Sequence, residues 1–140
     1  MKKLLKVLIP PFIGFFIFFA LIWLNPAYQT LRTDEMGEGT LRSFMAFYKY
    51  FLPLLFVIGL FTQLLVIVPV WDYLIVKPWP YKVNAIVDLG FVCLLFAAAI
   101  SYTIWDMADG SHHFITLLVY MLAAQLIYWF INLLALLLIE

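Results

Sequence analysis

Four runs of apolar residues, each about twenty residues long and joined by short polar connections, limit this chain to very few architectures. They fall near residues 4–24, 50–71, 83–105 and 114–139. A helix rises ~1.5 Å per residue, so about 20 residues cross a hydrocarbon layer ~30 Å thick. Each run therefore predicts a transmembrane helix. With 67% hydrophobic and 11% charged residues and a mean hydropathy of +1.08, the remainder cannot supply a separate soluble domain. The expectation is one all-α membrane domain over residues 1–140, an antiparallel four-helix bundle.

The first run begins with Lys2, Lys3 and Lys6, as a secretory signal does, but it outlasts a signal's apolar region and leaves through Trp23, Asn25 and Pro26. It reads as an uncleaved signal anchor. Pro10 and Pro11 predict a bend or a late start, and its surrounding phenylalanines suit lipid contact, which would make span one the cover of the bundle. Residues 25–49 form the long outer connection, with a turn or mobile loop over Asp34, Glu35, Met36, Gly37, Glu38 and Gly39, a helix cap at Thr40 and a short interfacial helix before the second span. Pro78-Trp79-Pro80 joins the second span to the third in an aromatic-anchored turn, and Ser111 is a credible cap for the fourth span.

Basic residues decide orientation. With the N-terminus inside, Lys2, Lys3, Lys6, Lys77 and Lys82 lie on the cytoplasmic side, and only Arg32, Arg42 and Lys49 lie outside. The bias predicts both chain ends inside and a multi-pass protein of the bacterial inner membrane. The formal net charge is +0 and there is no basic block, so a nucleic-acid partner has no electrostatic basis. Cys93 is the only cysteine, which excludes an internal disulfide or a cysteine metal cluster.

Asp88 is the ionisable residue that this topology places well inside the hydrocarbon, and a carboxylate there is by default a site awaiting a partner. Asn84 lies one turn away on the same face. Gln125, Tyr128 and Asn132 form a stripe on the fourth span, and Gln63 in the second reaches a similar depth. Together they predict a polar cluster in the inner half of the bundle, serving as hydrogen-bonding glue between helices or as a proton, cation or lipid site. Arg42 and Lys49 share a helix face suited to lipid phosphates or an acidic partner. His112 and His113 beside Asp109 are weak candidates for a metal, because adjacent histidines cannot easily face one ion and no third histidine exists. Ala97 and Ser101 fit the small-xxx-small pattern of close helix approach.

No phosphate-binding glycine loop, HExxH or nucleophile elbow is present, and no cofactor is implied. The expectation is a non-catalytic assembly, scaffold or regulatory subunit, partnered by the bilayer and by other membrane subunits or further copies of itself. A small proton, cation or lipid transporter built around Asp88 is the alternative, and a lipid- or quinone-handling enzyme the third.

Overall fold

The structure, a computed structural model, describes residues 2–36 and 40–140, with helix from Thr40 onward. Of the turn or loop expected over Asp34 to Gly39, residues 34–36 are described, as the end of a 3-10 turn; residues 37–39 and the cap expected from the Thr40 side chain lie outside the described residues. Among the described residues there are helices and no strands. Helix α1 is Lys2–Trp23, followed by two 3-10 turns, Pro26–Thr30 and Thr33–Glu35. Helix α2, Thr40–Thr62, continues through a π-helical turn, Gln63–Ile67, into α3, Val68–Leu74. Helix α4 is Trp79–Ile104, and after a 3-10 turn at Met107–Asp109, α5 is Gly110–Ile139. Four continuous rods, Lys2–Trp23, Leu41–Leu74, Trp79–Ile104 and Met107–Ile139, are long and apolar enough to cross a membrane.

Several local features differ from expectation for identifiable reasons. Helix α1 starts at Lys2 and is continuous through Pro10 and Pro11, which are buried inside it, so its start is not delayed. Nor does α2 pause at Tyr50: its first turns bury Phe44 to Tyr48, with Tyr48 against Phe18 of α1 and Phe44 against Tyr120 of α5. The segment before Tyr50 is therefore core, continuous with the span. Ser111 is not the cap of α5, which begins at Gly110 with φ +81°; glycine adopts this left-handed value without steric cost. Asp106 instead caps the preceding 3-10 turn, accepting from the Ala108 amide at 2.9 Å.

Helix α5 is the hub. It packs extensively on α1 and on α4, and to a smaller extent on α2, while α4 makes no extensive contact with α1, α2 or α3. On α4 the buried residues are Cys93, Ala97 and Ser101, so the small-residue pattern is used within the chain, for the α4–α5 seam. On the opposite side of α5, the Tyr128 ring occupies a notch between two glycines. A Cβ on Gly14 would lie 2.8 Å from the Tyr128 ring, and one on Gly59 2.9 Å from Phe15 and 3.3 Å from the Tyr128 hydroxyl. Close approach of α1 and α2 to α5 thus depends on having no side chain at these positions. Alanine at Gly14 forces the ring off its rotamer, at about 1–3 kcal/mol for such overpacking. Gly14→Ala is expected to lower the thermal unfolding midpoint in detergent, whereas Gly90→Ala, where nothing lies within 4 Å, leaves it unchanged or raised.

Candidate functional site

The polar interior starts from a proline. Pro10 has no amide proton, so the carbonyl of Lys6, four residues earlier, has no helical donor. In hydrocarbon no water can replace that donor. The Gln63 side chain does: its Nε2 donates to the Lys6 carbonyl at 3.0 Å, and its Oε1 accepts from Asn132 Nδ2 at 3.0 Å. Asn132 Nδ2 also lies 3.5 Å from the Tyr128 hydroxyl. Gln63 and Asn132 are fully buried, and Asn132 Oδ1 is the one atom of this chain of contacts without a partner. The π-helical turn begins at Gln63 and stops just before Pro69, another residue that cannot donate to its preceding turn.

The Lys6 side chain continues the network toward the membrane face. Its Nζ lies 2.9 Å from Asp72 Oδ1 and 2.7 Å from Glu140 Oε2, and Trp71 Nε1 donates to the same Glu140 oxygen at 3.1 Å. Lys2 Nζ donates to the Glu140 carbonyl at 3.3 Å. Lys6 is buried although both carboxylates are over a third exposed; a buried cation with two anions at the water's edge is anchored rather than stranded. Hydrogen bonds from Lys6 and Trp71 hold the Glu140 carboxyl below the usual carboxylate range. One lysine thus ties α1 to α3 and to the end of α5 through its ammonium, and to the π turn through its carbonyl.

Of the residues singled out from sequence, Gln63, Tyr128 and Asn132 meet directly. Gln125 makes no hydrogen bond to them; with Asp88 and Tyr128 it lines a crevice of about 620 Å³ between α4 and the Thr40–Leu74 rod, floored by α5. Asp88 and Asn84 are exposed on α4, and no hydrogen bond or ion pair within the described residues reaches Asp88. Lys82, its nearest cation in sequence, donates instead to the Ile75 carbonyl at 3.3 Å. Arg42 binds Glu35 at 2.6 Å. Lys49 donates to the carbonyls of Tyr28 and Leu31 at 3.1 and 3.0 Å and faces the Tyr28 ring, so these two residues hold the 25–36 connection down on α2. His113 Nδ1 stands 3.9 Å from Asp109, His112 is exposed, and no group of three metal-binding side chains occurs among the described residues.

The residue that sequence reasoning passed over is Lys6, and with it the role of α1, which forms one wall of the polar network rather than a cover over it. The signal was available: a lysine inside an apolar run, four residues before a proline, advertises both an uncompensated carbonyl and a charge needing anions. No family model matches the chain, and no curated protein or solved structure matches it.

Two measurements check this site. In a double-mutant cycle, Gln63→Leu should destabilise the native chain by about 1 kcal/mol more than it destabilises a Pro10→Ala background, because alanine restores a helical donor for the Lys6 carbonyl. The pH dependence follows from Glu140. A carboxyl held low contributes its full stabilisation above the ordinary range of about 4.3 and loses it as pH falls through the folded value. The stability difference between the native chain and Glu140→Gln, measured by thermal unfolding in detergent, should be constant at neutral pH and vanish under strongly acid conditions.

Proposed function

We propose that this chain is a non-catalytic multi-pass component of the bacterial inner membrane that works by association, as an assembly, scaffold or regulatory subunit of a larger complex or as a homo-oligomer. Its rods would form an antiparallel bundle with both ends in the cytoplasm, the arrangement that the basic-residue bias favours.

The observation that carries this reading is α4. Helix α4 is held along one seam by α5, and the opposite side presents Asn84, Val87, Asp88 and Phe91, all exposed. Polar side chains at membrane depth are stabilised by partners on neighbouring helices, and the described residues of this chain supply none to Asp88. The interior network offers little in competition. Gln63 is engaged through both its oxygen and its nitrogen, and the acid–base groups nearest it are paired with one another at the membrane face. Its character is that of a lock between helices.

Association is tested by cysteine cross-linking in the membrane. In a Cys93→Ala background, Asn84→Cys should cross-link to a second polypeptide or copy, and Ile115→Cys, exposed on α5, should not. Val87→Trp should dissolve the assembly on native mass measurement while the chain stays folded, and Asp88→Asn should preserve it. A monodisperse monomer with no adduct at Asn84→Cys overturns the reading. The second reading, a small proton or cation transporter, draws support from Asp88 and Gln125 sharing the crevice wall. It requires that Asp88→Asn abolish flux in proteoliposomes with assembly unchanged.

A further inference from the structure

The crevice beside α4 has a charged mouth and an apolar length. Lys82, Trp71 and Trp79 line it at the end where the α3–α4 connection lies, and the walls continue inward through Ala85, Asp88 and Val92. Lys82 spends one donor on the Ile75 carbonyl, which fixes the ammonium at the mouth and leaves two donors free. Asp88 follows six residues later, about 9 Å deeper along the helix. A cation, then an acceptor one to two turns further in, then hydrocarbon walls, is the polarity sequence of a phosphate, a hydroxyl and an acyl chain.

We propose that this crevice is the binding site of a single-chain glycerophospholipid, with its phosphate on Lys82, its free glycerol hydroxyl donating to the Asp88 carboxylate, and its acyl chain along the walls. The carboxylate decides the number of chains. A diacyl glycerophospholipid carries an ester where the free glycerol hydroxyl would be, and so has no proton to donate to Asp88 from that position. The two tryptophans at the mouth suit the headgroup level, where their rings are apolar on one side and wet on the other. Asp88 stands where this crevice meets the outward surface bearing Asn84 and Val87; association is read at Asn84→Cys and Val87→Trp and lipid binding at Lys82→Met and Ala85→Trp, so either proposal can fail alone.

Native mass spectrometry of the full chain in mild detergent tests it, using palmitoyl lysophosphatidylcholine, palmitate and dipalmitoyl phosphatidylcholine as probes, because a choline headgroup brings no hydroxyl of its own. One lysolipid per chain is expected, bound more tightly than either comparison lipid. Lys82→Met should weaken lysolipid binding about tenfold, the loss expected for one charge-assisted hydrogen bond. Asp88→Asn should weaken lysolipid and leave palmitate unchanged, a selectivity that a folding defect would not produce. Ala85→Trp should fill the crevice and abolish binding with the cross-link from Asn84→Cys retained. Equal binding of the diacyl lipid, or binding indifferent to Ala85→Trp, overturns the proposal. So does a cross-link between copies through Val92→Cys, which would show the crevice filled by a second chain.

Discussion

A carbonyl without a donor, placed where water cannot reach it, organises the interior of this protein. Pro10 creates it at Lys6, and hydrocarbon makes leaving it bare cost several kcal/mol. Only a side chain from another helix can satisfy it. Gln63 answers from the opposite rod, and an amide that donates with its nitrogen still has an oxygen to satisfy, which brings in Asn132 from α5. Three rods are thereby set at defined rotations and heights by one missing proton.

Sterics and electrostatics then reinforce that placement at different depths. Above the amides, the glycines at 14 and 59 admit the Tyr128 ring, so that its hydroxyl reaches Asn132. Below them, the Lys6 ammonium gathers Asp72 and Glu140. A buried ion pair is weak evidence for stability in itself, because desolvation cancels much of the attraction. What it does here is hold three elements at one level: one cation of α1 lies against Asp72 of α3 and Glu140 at the end of α5. The opposite end is governed differently, by Lys49 and Arg42 holding the 25–36 connection down on α2, a device that needs no buried charge.

These restraints act on α1, α2, α3 and α5. Helix α4 shares none of the hydrogen bonds of the buried network and is held by small residues along one seam. In hydrocarbon, lipid tails are as apolar as leucine, so a seam of this kind gains from packing alone. The rod that is attached most lightly is also the one that carries Asp88 toward the bilayer and borders the crevice. The association and the lipid binding proposed at α4 both rest on this contrast between a tied side of α5 and an open one.

The four rods and their approximate ends were legible in the residues themselves, because a bilayer sets length and composition for each span without reference to the others. The choice of Gln63, Tyr128 and Asn132 as polar residues was legible too, since amides and phenols stand out in an apolar run. Which of them meet was not. That depends on the rotation of each helix about its axis, which Pro10, the π-helical turn before Pro69 and two ring-sized notches determine through contacts between rods far apart in sequence. The same contacts turned Gln125 and Asp88 into a crevice away from the other amides, and brought into the core a lysine that composition alone places with the headgroups. Sequence by itself therefore determined that this chain forms four membrane-length helices. Tertiary structure decided which of their polar atoms satisfy one another and which have no partner among the described residues, because hydrogen bonds between helices are settled by proximity in space.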